Sequence, residues 1–304
     1  MSPKDIYDDS IVFCDFHVID LTADECSKAL IAQVNEIQNQ REFNRINDIQ
    51  PLSKKVKKVL DYTCPRKRIE NNINDKVEVF WHIGSLGTQL SVDIVEEQYL
   101  SLKSSGLLSK VNYVLIYVGG DIEPIKTKFN SLQGGKQFIL HEKNESLSNF
   151  EFTTLSKLQN YCMSNPQSIV LYFHNKGASR NSSMESINIK AWRKYMEHFI
   201  FNNHEDCINA LKKGDFDTCG VQLTDDDQPH YSGNFWFARC DYVNELPLIS
   251  ESVAWDRHVA ETWVTNSKGG CYLSRGSVPW NPYYNEVKEE DYVHFNGCIP
   301  PSNV

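Results

Sequence analysis

No run of apolar residues in this chain approaches the ~18 that a membrane-crossing helix needs. The longest, such as Val114-Leu115-Ile116-Tyr117-Val118, are strand-sized, so no integral membrane segment is expected. No C-x-x-C pair occurs among the nine cysteines, an odd and scattered set. A zinc site is therefore not expected, and the thiols read as reduced and mostly buried, as in a reducing compartment. There is no basic excess either: 31 Lys and Arg stand against 40 Asp and Glu, a formal net charge of −9. Sequence-independent nucleic-acid binding needs a basic footprint, so no nucleic-acid partner is expected. A local basic pocket for a phosphorylated ligand remains compatible with that charge. P-loop and G-x-S-x-G motifs are missing, as is a clear paired-metal acid cluster, which leaves a phosphatase or nucleotidyltransferase without support. Met1 to Ser10 carries Asp5, Asp8 and Asp9 where a signal peptide would carry basic charge and then an apolar run. The expectation is a cytoplasmic chain, in which the Asn144 sequon has no meaning.

What is present is a chain of 304 residues, 40% hydrophobic and 12% aromatic, enough for one large domain or two small ones. Residues 1–75 read as an accessory segment, mainly helical. Thr22-x-x-Glu25 is a capping box, with Cys26, Leu30, Ile31, Val34 and Ile37 on one helical face. Lys54, Lys55, Lys57 and Lys58 form a basic cluster, followed by Arg66, Lys67 and Arg68. That cluster is either a solvated face or a docking surface for an anionic partner.

Residues 76–304 read as an α/β domain. Lys76 to Trp81 alternates and runs into His82-Ile83-Gly84, a strand and a Gly-containing turn. Leu86, Leu90, Ile94 and Leu102 fit a helix stopped by Gly106. Asn112 to Val118 is an apolar strand closed by Gly119-Gly120, and Gln137 to Leu140 a short one. Phe152, Leu155, Leu158 and Cys162 mark a helix that ends before Pro166, and Ser168 to Phe173 is a further strand. Ser182-x-x-Glu185 caps a helix with Ile189, Trp192, Met196 and Phe199 on its apolar face, and a short helix runs from His204 to Lys213. Apolar strands alternating with helices predict a mostly parallel sheet flanked by helices, with ligands bound beyond the carboxyl ends of its strands.

Two segments carry chemistry. In Leu171-Tyr172-Phe173-His174-Asn175-Lys176-Gly177-Ala178-Ser179-Arg180 an apolar strand gives way at once to polar groups. Lys176 and Arg180 suit a diphosphate, and Gly177 lets the backbone approach it. In His230-Tyr231-Ser232-Gly233-Asn234-Phe235-Trp236-Phe237-Ala238, His230, Ser232 and Asn234 suit sugar hydroxyls, and the aromatics, Trp236 among them, suit either pyranose faces or the core.

These segments resemble a glycosyltransferase family of microbes and large DNA viruses. Its recurring features are H-x-K-G, W-R-x-x-M and H-x-S-G-N-F-W. Here they read His174-Asn175-Lys176-Gly177, Trp192-Arg193-Lys194-Tyr195-Met196 and His230-Tyr231-Ser232-Gly233-Asn234-Phe235-Trp236. Ser105-Gly106-Leu107 and Glu261-Thr262-Trp263 fit as well, so the likeness spans residues 76–265. It implies a GT-A-like, Rossmann-like fold, a nucleotide-sugar donor and a glycan or glycoprotein acceptor. In typical GT-A enzymes the strand at this place ends in Asp-x-Asp, which holds a divalent ion. His174-Asn175-Lys176 suits Mg²⁺ or Mn²⁺ poorly, so Lys176 is expected to take over the ion's role on the leaving diphosphate. The alternative is a Mn²⁺ or Mg²⁺ ion on Asp225 and Asp227, in a run that also reads as a solvated loop.

Transfer with inversion needs a carboxylate base. Glu261 and Asp256, on one expected helix among aromatics, are the candidates, although an ion pair between Glu261 and Arg257 explains the same spacing. Placement by topology adds Trp81, His82 and Gly84 for the nucleoside and Asp121 for ribose hydroxyls. The competing reading is a non-catalytic protein that binds a sugar or nucleotide sugar on the same fold.

Overall fold

The continuous apolar runs become the centre of a sheet. In chain order the strands are β1 (Lys57–Lys58), β2 (Val77–Ser85), β3 (Val111–Gly120), β4 (Phe138–Leu140), β5 (Ile169–His174), β6 (Thr218–Gly220), β7 (Leu223–Thr224), β8 (His230–Tyr231), β9 (Trp236–Arg239), β10 (Tyr272–Ser274) and β11 (Gly297–Ile299). The helices are α1 (Gln89–Ser104), α2 (Glu123–Ser131), α3 (Phe152–Ser164), α4 (Ser183–Glu197), α5 (His204–Lys212), α6 (Cys240–Val243) and α7 (Arg257–Thr262). The computed structural model describes residues 73–74, 76–132, 135–141, 146–179, 183–224, 228–249, 257–267 and 269–292, together with β1 and β11. They belong to one compact unit, Gln50–Val304. The capping box at Thr22 and Glu25, Lys54, Lys55 and Arg66 to Arg68 lie outside the described residues. Among the described residues no helix is long and apolar enough to cross a membrane.

Nine strands form one mixed sheet in the order β1-β11-β10-β6-β9-β5-β2-β3-β4, and β7 pairs with β8 apart from it. The half β5-β2-β3-β4 is parallel throughout. β9 then enters antiparallel between β5 and β6. The architecture is α/β, with helices on both faces. On β2, Val77, Val79, Trp81 and Ile83 face one core with Val95 and Tyr99 of α1 and Trp192 and Met196 of α4. Phe80 faces the other core, with Leu155 and Leu158 of α3, Tyr242 of α6 and Ala260 of α7. Burial on both faces is why these strands read as unbroken apolar runs, and each such side chain contributes about 1.5–3 kcal/mol.

Helix α1 starts at Gln89 after a Thr88 cap, and Gly106 beyond its end is left-handed at φ 79°. Leu86, read above as the first apolar position of this helix, instead precedes it and is exposed. The expectation of free thiols needs correction: Cys162 pairs with Cys240, tying α3 to α6, and Cys207 pairs with Cys219, tying α5 to β6. Their Cα atoms lie 4.6 and 5.5 Å apart across 78 and 12 residues of sequence. Tertiary packing alone sets that approach, so spacing could not reveal it. Loop entropy makes the longer link worth about 4 kcal/mol and the shorter about 3 kcal/mol. Such pairs persist in oxidising surroundings.

The last residue of α4, Glu197, is buried just before a π-helical turn over His198–Asn202. Burial raises its carboxyl to about 7, against the pull of Arg193 and hydrogen bonds from Ser101 and Gln98. A folded pKa above the ordinary 4.5 favours the fold below the lower value and disfavours it as pH rises through the upper one. Glu197→Gln cannot ionise, so it should flatten that decline and raise unfolding free energy above pH 7.5 by about 2–3 kcal/mol. Urea titrations at pH 5 and pH 8 check this; equal effects at both would refute it.

Candidate functional site

The chain leaves β2 for β3 and β4 on one side and returns through β5 on the other. Between the carboxyl ends of β2 and β5 the strand order therefore reverses, and open α/β sheets hold ligands at such a point. A cleft of about 250 Å³ lies there, lined among others by His82, Gly119, Glu151, His174, Lys176 and Gly177. His82 and His174 are register partners and share the sheet face that α3 covers. Asn175 clamps the strand ends together: its Oδ1 accepts from the Gly84 N–H at 2.8 Å and its Nδ2 donates to the Gly84 carbonyl at 3.0 Å. Gln98 of α1 donates to the His174 carbonyl at 3.0 Å from behind.

The turn over Lys176–Ser179 needs its glycine. Gly177 has φ 96°, and a Cβ there would lie 2.6 Å from Ile189 Cγ2. Arg193 of α4 fixes the turn by donating to the Lys176 carbonyl at 2.8 Å and pairing with Glu97 at 3.0 Å. The Lys176 ammonium donates to the Tyr283 hydroxyl at 2.9 Å and sits 4.3 Å from the Trp192 ring centre and 5.0 Å from that of Tyr283. Lys176 is 6% exposed, and no carboxylate among the described residues pairs with it.

Behind the cleft stands a buried carboxylate. Glu151 immediately precedes α3, and its Oε2 accepts from the Tyr172 hydroxyl at 2.7 Å and from Asn234 Nδ2 at 2.6 Å. Its Oε1 lies 3.3 Å from His174 Nδ1. Asn234 is held in turn by the Trp236 indole N–H, which donates to Oδ1 at 2.8 Å. Burial pushes the Glu151 carboxyl up, but His174, His82 and the bonds from Tyr172 and Asn234 outweigh it and hold the group at about 2.

Burial lowers His82 to about 4 against the pull of Glu151. It lowers His174 as well, against Glu151 and the Gly233 carbonyl. Near neutral pH both rings are therefore uncharged; they take up their protons in the acidic range where Glu151 itself titrates, and there they hold its carboxyl down. His174 Nε2 lies 3.0 Å from the Gly233 carbonyl oxygen, so both of its ring nitrogens face acceptors and a neutral ring can donate to one only. His82 Nδ1 is 2.9 Å from the Thr154 hydroxyl, which leaves Nε2 as the nitrogen available to a ligand.

Of the residues singled out in the sequence, His82, Gly84, His174, Lys176 and Gly177 line the cleft. Asn234 joins it through Glu151 and lies 3.4 Å from the Ala260 carbonyl. Segments 174–177, 233–236 and 260–261 thus meet. Glu261 is half-buried on α7, outside the cleft lining, and its charge reaches Tyr172 and His174. Trp236 is buried against Tyr172, 5.1 Å between ring centres, and Trp81 is buried against Phe173 and Phe129. Asp121 is exposed and accepts from the Glu123 N–H at the start of α2. His230, on β8, has Nδ1 3.0 Å from the Gln228 carbonyl, and the Ser232 N–H donates to the Gln222 carbonyl. Neither lines the cleft. Arg180, Asp225, Asp227 and Asp256 lie outside the described residues, and among the described residues no His, Cys, Asp or Glu group could hold a metal ion.

Sequence reading missed Glu151, Thr154, Phe150, Leu147 and Tyr283. An acid directly before an apolar helix start was the available signal for Glu151; Tyr283 had none.

Residues 80–275 match a family described as a domain of unknown function (DUF8361). The chain belongs to that family. No curated protein matches it. The family's span runs from Phe80 to Arg275 and takes in the cleft from His82 to Ile189, whereas Tyr283 falls beyond it.

Proposed function

We propose that this protein is a glycosyltransferase that moves a sugar from a nucleoside-diphosphate sugar to a hydroxyl of a glycan or glycoprotein acceptor, in a GT-A-like arrangement. One observation carries the reading. Lys176 is a buried ammonium in a cleft wall, and its partners among the described residues are neutral. A buried charge without a counter-ion costs several kcal/mol, which a structural lysine would offset with a carboxylate. An anionic ligand at the strand-order reversal supplies the missing charge.

In this reading the bond between the sugar's anomeric carbon and the diphosphate oxygen breaks, and its electron pair leaves on the diphosphate. Lys176 and the backbone of the Gly177 turn stabilise that developing charge. The acceptor oxygen forms the new bond to the anomeric carbon, and its proton passes to a base. His82, uncharged, lining the cleft and with Nε2 turned to a ligand, is the candidate within it, with Glu261 as the flanking carboxylate. Lys176 supplies the positive charge for which Mn²⁺ or Mg²⁺ is the alternative source.

The test is incubation of the protein with UDP-, GDP-, ADP- and TDP-sugars in excess EDTA and, separately, with Mn²⁺, measuring released nucleoside diphosphate. Slow release in EDTA is the expected result. Donor binding without release under either condition would favour the non-catalytic binding protein. Absence of binding would end the proposal.

A further inference from the structure

Among the exposed large apolar side chains of the described residues, three line one cleft. Leu86, Leu147 and Phe150 are 43%, 42% and 42% exposed, and all three line the cleft that holds Lys176. They come from two separate segments, the turn after β2 and the loop before α3. Leu147 is seated closely: a Cβ on Gly120, whose φ is 95°, would lie 3.0 Å from Leu147 Cγ. Phe150 holds φ 45° and ψ −133°, a conformation that costs a non-glycine residue about 1–3 kcal/mol. Strain spent to keep a phenyl ring exposed at a cleft mouth has no packing return. It does have a return if the ring contacts a ligand.

We propose that Leu86, Leu147 and Phe150 form a seat for a flat aromatic ring, carried by the same ligand whose anionic end meets Lys176. The argument for this occupant is continuity: one cleft joins an apolar rim to a desolvated ammonium, which calls for a ligand apolar at one end and anionic at the other, and the Phe150 ring offers that apolar end a stacking face. A plain hydrocarbon chain would leave Lys176 unpaired, and a free phosphate would leave the rim wet. The proposal rests on the donor reading above in one respect, that the ring is then the nucleobase of a nucleoside diphosphate. Ring stacking of this kind is worth ~1–3 kcal/mol.

Calorimetric titration of the full chain with inorganic pyrophosphate, with uridine and with UDP, GDP, ADP and TDP separates the two ends. The expected result is that the best nucleoside diphosphate binds at least ~30-fold more tightly than pyrophosphate. Phe150→Ala should reduce that advantage to below ~5-fold while pyrophosphate affinity stays the same. Phe150→Leu, which keeps the apolar bulk, should recover part of it, and Leu147→Ser should act like Phe150→Ala. Two results overturn the seat: no nucleoside diphosphate bettering pyrophosphate, or Phe150→Ala weakening both alike. Binding of neither ligand overturns it together with the anion site. Failure of the transferase reading looks different: nucleoside diphosphates bind with the Phe150 dependence, yet no nucleotide sugar is turned over.

Discussion

Lys176→Met should raise stability and destroy ligand binding at the same time. Methionine matches the length of the lysine stem and keeps contact with the Trp192 and Tyr283 rings, to which its sulfur adds a favourable interaction. Removing a buried ammonium that has no carboxylate partner among the described residues should stabilise the fold by about 1–4 kcal/mol, the range found when buried charges give way to apolar groups. Pyrophosphate and nucleoside-diphosphate affinity should fall by at least ~100-fold, because charge-assisted hydrogen bonds are the strong ones. Donor hydrolysis should fall with it. Lys176→Arg should not rescue: a planar guanidinium does not replace a point charge seated between two rings. Thermal unfolding and calorimetry on the same samples decide the matter. A Lys176→Met protein that is less stable than wild type and still binds pyrophosphate would show the lysine to be structural.

Glu151→Ala should be among the most destabilising single changes in the described residues, at about 3–5 kcal/mol. It strands the Tyr172 hydroxyl and the Asn234 amide in the interior, and each orphaned group costs about 1–3 kcal/mol. The same carboxylate makes the protein acid-sensitive. Its folded pKa of about 2 lies below the ordinary 4.5, so its contribution is complete above pH 4.5 and disappears as pH falls toward 2. His82, at about 4 instead of 6.5, must bind a proton on unfolding between those values, so stability falls there as well. Each shift corresponds to roughly 3 kcal/mol. Between pH 6.5 and 4.5 the His82 loss is opposed by Glu197, whose raised pKa adds stability as pH falls through 7, so wild-type stability should change little in this first stage and decline in a second stage below 4.5. Glu151→Ala should lose the second stage. Guanidinium titrations at pH 7, 5 and 3.5 measure both, and a Glu151→Ala protein within about 1 kcal/mol of wild type at pH 7 would sink the claim.

Strands β2 and β5 were legible because burial on both faces writes long apolar runs into the sequence, and β3 because Val114 to Val118 stays apolar although one of its faces is only half-buried. α2 was not, since Pro124 and the polar residues around Ile125 and Phe129 mask a helix with two buried positions. β6 and β10, three residues each, are too short for any period to show. The turn at His174 to Ser179 was legible for a local reason, that polar groups follow an apolar strand at once. Glu151 was not, because its function is to satisfy Tyr172 and Asn234, 21 and 83 residues away. The same holds for the aromatic partner of Lys176, separated from it by 107 residues. The disulfides follow this rule too: spacing says nothing about two thiols that only packing brings together. Leu86 shows the opposite error, in which an apolar residue was assigned to a helix face when it stands at the mouth of the cleft.

The environment of Lys176 comes from two parts of the chain, one inside the family's span and one beyond it. The lysine and Trp192 belong to the span that the family shares, and Tyr283 lies past its end. The sheet and the turn after β5 thus place the cation, while the segment after residue 275 decides how wet it is. Exchange of that one segment would retune how strongly a shared charge attracts its ligand, with no alteration to the sheet that carries it.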